Sequence, residues 1–195
     1  MTQMFSSYLR MARQHVPAMR AAKHGPTYID ALTARQVADR GELTPEQITH
    51  GLRDTAPKMV RWRQATPGLI RSRAMPDEQQ VSSAPGGPTE LWTFGYLFDT
   101  ILTRDTWMHR IDIARATARP LELTAEHDGL LVADVVAEWQ DRHDQPFRLI
   151  LTGQAGGAWR RGTGGEQITM DAVEFCRALS GRDEAPGLLA VAVPF

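Results

Sequence analysis

The segment RDTWMHRID, residues 104–112, decides how the fold and the function of this chain are interpreted. Within it, Asp105 and His109 stand four residues apart, and Asp112 follows three residues later. Side chains at these spacings share one face of a helix, so the three polar groups are expected to point the same way. Apolar residues on both sides of the segment predict one helix from about Thr89 to Thr117, with a stripe that faces a core. Polar groups inside such a stripe must be hydrogen-bonded, charge-paired or bound to a metal, because burying them unpaired is costly.

The composition is that of an ordinary globular protein, with 195 residues of which 42% are hydrophobic and 23% are charged. The 22 basic and 23 acidic residues give a net charge of −1. This balance argues against nucleic-acid binding through a basic face and against electrostatic attachment to a membrane. No apolar run suits a signal peptide or a membrane span, so we expect a cytoplasmic protein. The single cysteine, Cys176, excludes an internal disulfide and is predicted to be a buried structural thiol.

Helical patterns dominate the first 144 residues. Helices are predicted from about Thr2 to Lys23, from Ile29 to Gly41, from Thr44 onward and from Thr124 onward, with a long loop at 67–88. Thr44 and Gln47 predict a capping box, with Pro45 at the first helical position. Pro57 is expected to bend or break the helix that follows.

After Pro146 the pattern changes to short strands. Strands are predicted at Phe147–Leu151, around Trp159, at Ile168–Met170 and at Leu188–Val193, with a helix at Asp171–Leu179. The glycine-rich stretch that begins at Gly153 predicts a tight turn rather than a nucleotide-binding loop, because no long helix follows it. The chain is therefore predicted to have an α+β fold, with a helical domain at 1–144 and a small α+β domain at 145–195.

Two features carry candidate chemistry. An aspartate and a histidine four residues apart supply two ligands to a divalent metal from consecutive helical turns, and another helix would supply a third. The alternatives are a structural hydrogen bond between Asp105 and His109, or an Asp112 paired with Arg115 on the helix surface. Arg182 follows Gly181, the predicted C-terminal cap of its helix, and either satisfies backbone carbonyls there or binds a carboxylate.

The motifs around this helix resemble a known family. The sequences WTFGYL at 92–97 and TRDTWMHRIDIARAT at 103–117 are similar to those of the mycothiol-dependent maleylpyruvate isomerase family. The C-terminal runs at 151–157 and 171–182 resemble the small α+β domain of the same family. The resemblance covers most of the chain and implies a DinB-like, metal-binding helical bundle followed by that domain.

The resemblance also implies roles for particular residues. Asp105 and His109 match the family's later pair of ligands to a divalent metal, usually zinc, with aspartate where the isomerases carry glutamate. The family's third ligand is a histidine on an early helix, and the first helix of the pattern is expected to be missing here, so that His15 is the remaining candidate. Arg182 matches an arginine thought to help bind the anionic substrate or the thiol. Asp112 is expected to orient or neutralise its neighbours.

The resemblance therefore predicts a metal-dependent, mycothiol-using isomerase or S-transferase, in which a thiol activated at the metal attacks a small electrophilic substrate. The alternative is a non-catalytic binding or regulatory protein on the same bundle with an incomplete metal site. A missing helix would leave an apolar groove, so a homodimer is also expected.

Overall fold

The computed structural model describes residues 13–14, 16–18, 20–21, 28–75, 77–81 and 87–195. The fold is mixed α and β, as predicted. The chain divides into two compact units, Met1–Pro67 and Gly68–Phe195. Most of the predicted helix at Thr2 to Lys23, including His15, lies outside the described residues. No helix in the described part of the chain combines the length and the apolar character needed to cross a membrane.

The first unit contains helices α1 (Tyr28–Ala38) and α2 (Pro45–Ala65). The predicted capping box is confirmed: the Gln47 amide donates to Thr44 Oγ1 over 3.3 Å, and the Thr44 amide donates to Gln47 Oε1 over 2.8 Å. Helix α2 continues through Pro57 without ending there, so the expected break does not occur. Pro57 is exposed, so water can satisfy the carbonyl that loses its donor.

The second unit begins with short elements in the segment that was predicted to be a loop. Helix α3 (Gly68–Arg71) is followed by strands β1 (Gln79–Gln80) and β2 (Thr89–Glu90), which pair antiparallel. The helix predicted from Thr89 therefore begins later. The chain passes through α4 (Phe94–Tyr96) and a π-helical segment (Leu97–Ile101) into α5 (Leu102–Ala116). Thr93 caps α4, since its hydroxyl accepts from the Tyr96 amide over 3.1 Å.

Helix α6 (Asp128–His143) leads into a three-stranded sheet. Its strands are β3 (Phe147–Thr152), β4 (Gly157–Arg161) and β5 (Glu166–Asp171), in the order β4-β3-β5. Strands β3 and β4 form an antiparallel hairpin, whereas β5 runs parallel to β3 and leads directly into α7 (Ala172–Leu179). The tight turn predicted at Gly153 is confirmed by its φ of 87°, which lies in the left-handed region.

The strand predicted at Leu188–Val193 is wrong: Gly187–Ala190 form a 3-10 helix. Hydrogen bonds with side chains, rather than with a neighbouring strand, satisfy the backbone of Leu188. The Trp139 indole donates to the Leu188 carbonyl over 3.0 Å, and the Leu188 amide donates to Glu166 Oε2 over 3.0 Å.

One hydrophobic core joins α5, α6, α7 and the sheet. At its centre the rings of Trp139, Phe147 and Phe175 meet edge to face, with centroid distances from Trp139 of 4.8 Å and 5.3 Å. The boundary predicted between residues 144 and 145 therefore lies inside the second unit, and the segments on its two sides share this core. Compactness alone does not define domains that fold separately, so the two-domain assignment stays a prediction.

Candidate functional site

Asp105, His109 and Asp112 lie on one side of α5, as their spacing predicts. His109 Nε2 is 3.3 Å from Asp105 Oδ1, and His109 Nδ1 is 3.6 Å from Asp112 Oδ2. The side chains are 26%, 60% and 33% exposed for Asp105, His109 and Asp112 respectively. The expectation that the triplet lies buried within the apolar stripe is therefore wrong. The triplet is a partly solvated polar row that has carboxylates on both sides of an imidazole.

The end of α7 presents Arg182 through a defined backbone turn. Gly181 adopts a φ of 78°, the left-handed conformation that glycine favours after a helix. The Gly181 amide donates to the Ala178 carbonyl and the Arg182 amide donates to the Arg177 carbonyl, each over 3.0 Å. These two bonds form a Schellman motif, so the predicted glycine cap is confirmed. The motif also ties the backbone of Arg182 to that of Arg177.

The Arg182 side chain reaches back from this turn to α5. Its Nε and Nη2 donate to Asp112 Oδ2 over 3.1 Å and 3.0 Å. The carboxylate that Arg182 binds here belongs to the chain itself, so its binding of a ligand carboxylate stays a prediction. The alternative pairing of Asp112 with Arg115 does not form, because Arg115 pairs with Glu174 instead.

Arg177 forms a second cationic contact to the same carboxylate. Its Nη1 lies 3.5 Å from Asp112 Oδ1, whereas Arg182 contacts Oδ2. Arg177 is only 15% exposed and also donates through Nε to Asp183 Oδ2 over 3.1 Å. Asp112 is thus shared by two arginines, and the site joins an acid–imidazole row on α5 to one arginine on α7 and one that follows the turn after it.

The donors on α5 do not complete a metal site. Catalytic zinc sites use three protein ligands, and Asp105 and His109 supply two. The carboxylate of Asp112 is taken up by two cations, which also repel a metal ion. Within the described residues, no three His, Cys, Asp or Glu side chains form a group that could hold a metal ion. The third ligand that the resemblance requires would have to come from elsewhere, and His15 lies outside the described part of the chain.

Sequence reasoning missed a second polar cluster on a different face of the same helix. Arg104, which is 1% exposed, donates to Asp134 Oδ2 through Nε over 2.9 Å and through Nη2 over 2.7 Å. Its Nη1 donates to Glu138 Oε2 over 2.6 Å and to the Pro194 carbonyl over 3.1 Å. Arg104 is in register with the buried residues Ile101, Met108 and Ile111, and this register is the signal that could have identified it.

Tyr96 and Arg142 extend this cluster around Glu138. The Tyr96 hydroxyl donates to Glu138 Oε1 over 2.5 Å, and Arg142 donates to the same oxygen through Nη2 over 2.6 Å. Burial raises the pKa of Glu138, but the hydrogen bonds from Tyr96 and Arg142 and the charge of Arg104 outweigh it and leave the pKa below its ordinary value. Burial also raises the pKa of Tyr96, so its hydroxyl remains protonated and donates.

A cavity of about 510 Å³ opens beside this cluster and is lined by these same charged side chains together with Glu90, Thr100, Ala137 and Asp141. Its charges are already paired within the protein. Arg142 binds Glu90 as well as Glu138, and Asp141 pairs with Arg161. These pairs connect α4, α5 and α6, so we assign the cluster a structural role.

Cys176 is fully buried in the core, which confirms the prediction of a structural thiol. Burial raises the pKa of the thiol, so the thiolate is disfavoured. Cys176 is therefore not a candidate nucleophile in this structure.

Comparison with models of known protein families, with curated proteins and with solved structures finds no significant match to this chain. The family resemblance consequently remains a prediction from the motifs at 92–117 and 151–182.

Proposed function

We propose that this protein is an enzyme of the mycothiol-dependent maleylpyruvate isomerase family, built on a DinB-like bundle, that acts on a small anionic electrophile. One observation carries the proposal. Arg182, which the resemblance selects from the C-terminal part of the chain, binds Asp112, and Asp112 in turn lies 3.6 Å from His109, one of the two selected residues on α5. If only the local motifs were similar to those of the family, Arg182 and Asp112, which are 70 positions apart in the sequence, would not have to meet in the structure.

The side chains at this site suit the two halves of the reaction. The guanidinium of Arg182 binds the carboxylate of Asp112 through two N–H groups, and its planar fork of donors suits a substrate carboxylate in the same way. His109 is the most exposed member of the α5 row and lies where a small thiol can approach. The thiolate would add to the unsaturated carbon, the former double bond would rotate as a single bond, and expulsion of the thiolate would restore the double bond in the other geometry.

Two roles are open to His109 in forming the thiolate. It accepts the thiol proton and returns it when the thiol leaves, or it acts with Asp105 as a ligand to a divalent metal such as zinc. The second role needs a third donor beyond the described residues, because Asp105 and His109 alone do not fit a catalytic zinc site.

The metal content of the purified protein tests the second role. Full-length protein from zinc-supplemented culture is measured by inductively coupled plasma mass spectrometry beside Asp105→Ala and His109→Ala. His50→Ala is a matched control, since His50 and Asp54 form an exposed pair with the same four-residue spacing and the same 3.3 Å separation. A bound metal lost only with the α5 variants supports ligation; equal metal in all four proteins overturns it.

Mycothiol-dependent isomerisation of maleylpyruvate, followed by absorbance, tests the activity itself. We expect Arg182→Gln to raise KM more than it lowers kcat, because Arg182 is assigned to the substrate carboxylate. Activity that is unaffected by Arg182→Gln would remove Arg182 from the site.

A non-catalytic binding or regulatory protein is the second candidate. The occupied carboxylate of Asp112 favours it, as does the lack of a complete metal-ligand group among the residues that the structure describes. It predicts binding of small anions or thiols without turnover and without metal. A homodimer stays part of either proposal, and a monomeric mass by light scattering at micromolar concentration would count against it.

A further inference from the structure

The contacts of Asp112 suggest that Arg177 has a role in how Arg182 is made available. Arg182 occupies Asp112 Oδ2, whereas Arg177 faces Asp112 Oδ1 at 3.5 Å. One carboxylate is thus paired with two guanidinium groups through different oxygens. When Arg182 leaves, Asp112 still has a cation beside it.

The two arginines differ in how firmly they are held. Arg177 lies within α7, is 15% exposed and has two further acidic contacts, with Asp183 at 3.1 Å and Glu174 at 3.5 Å. Arg182 lies beyond the Schellman turn, and Asp112 is the carboxylate that its side chain contacts. The side chain of Arg177 is therefore anchored independently of Asp112, whereas Arg182 makes the shorter contacts to Asp112 and depends on them.

We propose that Arg182 pairs with Asp112 when no ligand is bound, and that a ligand carboxylate replaces Asp112 as the partner of Arg182. Arg177 enables this exchange, because it neutralises Asp112 once Arg182 has left. This inference rests on the proposed role of Arg182 in binding an anionic ligand. Arg177 does not touch the ligand and acts as a positioning residue. Without Arg177, the ligand must compete with an Asp112 whose negative charge is balanced by Arg182 alone, so Arg182 is released less readily.

The exchange predicts opposite effects for the two neighbours of Arg182. Asp112→Asn removes the competing charge, so the Kd for malonate falls about fivefold, whereas Arg177→Gln raises that Kd about fivefold. In the double variant, Arg177→Gln has little further effect, because a neutral residue 112 no longer needs a counter-charge. A general loss of positive charge would weaken anion binding in both backgrounds.

Nuclear magnetic resonance titration of the full chain with malonate tests these effects through the Arg182 Nε–H resonance. Arg115→Gln is the control, since Arg115 also joins α5 to α7 through Glu174 without contacting Asp112, and its change is expected to stay below about twofold. Circular dichroism confirms that each variant is folded. A conservative Arg177→Lys is expected to restore most of the affinity, since it keeps the charge.

The possible failures are distinguishable. If wild type binds no malonate at Arg182, the assignment of Arg182 to an anionic ligand is wrong and the exchange is wrong with it. If malonate binds but Asp112→Asn and Arg177→Gln both weaken it, only the exchange is overturned. Equal effects of Arg177→Gln with Asp or Asn at position 112 would also overturn it.

Discussion

Helix α5 carries a buried row, in which Arg104 is the polar residue, and a partly exposed polar row that is offset from it by one residue. Arg104 is buried and held by two carboxylates and a backbone carbonyl, whereas Asp105, His109 and Asp112 form a partly exposed row. One residue is a rotation of about 100° around a helix, enough to move a side chain from core to solvent. The charge in the buried row is paired inside the protein, whereas the exposed row is where we propose that ligands bind.

Arg104→Met tests this contrast most strongly. The substitution leaves Glu138 and Asp134 without their buried partner, and we expect it to lower the free energy of unfolding by about 3 kcal/mol or more. Urea denaturation of the full chain measures the change. Arg115→Met, which breaks an exposed ion pair on the same helix, is the control and is expected to cost less than about 1 kcal/mol. Similar losses for both variants would contradict the assignment of a structural role to the buried row alone.

Glu138→Gln is expected to have the next largest effect, about 2 kcal/mol at pH 7, because it weakens charged hydrogen bonds from Tyr96, Arg104 and Arg142. The pKa of Glu138 is lowered on folding, so its stabilising contribution is present above its ordinary value of 4.5 and is lost as the pH falls through the lower, folded value. The stability difference between wild type and variant should therefore shrink between pH 7 and pH 3. A stability difference that grows as the pH falls would show that the pKa of Glu138 is not lowered on folding.

Tyr96→Phe removes one neutral donor from the same cluster and leaves its charges intact. The hydroxyl donates to Glu138 over 2.5 Å, and its loss is expected to cost about 1 kcal/mol. Thermal unfolding followed by circular dichroism measures this effect. Tyr96→Phe in the Glu138→Gln background should cost less than in wild type, since the two groups share one hydrogen bond. Fully additive costs would indicate that the hydroxyl does not act through Glu138.

Asp112→Asn is expected to have the smallest effect on stability, below about 1 kcal/mol, because its ion pairs are partly solvated. The same substitution is expected to change anion binding, as described above. If Asp112→Asn instead lowers the free energy of unfolding by several kcal/mol and leaves the affinity for anions unchanged, the exposed row has a structural role like that of the cluster around Arg104.

Much of the local structure could be predicted from sequence. The Thr44–Gln47 capping box and the turn at Gly181 each depend on residues within one or two helical turns, so their chemistry is visible in the sequence itself. The burial of Cys176 followed from its helical neighbours. The strand expected at Leu188–Val193 failed because a distant indole and a distant carboxylate hold that backbone. Such partners have no local signal.

The sequence by itself determined the spacing of Asp105, His109 and Asp112 on one helical face and the cap that places Arg182 after α7. Only the tertiary structure decided that Asp105, His109 and Asp112 stay partly exposed. It also decided that Arg104 meets carboxylates on α6, since these partners lie 30 and 34 residues further along the chain. It also decided that Arg182 meets Asp112, because a contact across 70 residues depends on how α5 and α7 pack around their shared core. Local spacing fixes which side chains can act together, and packing fixes the environment in which they act.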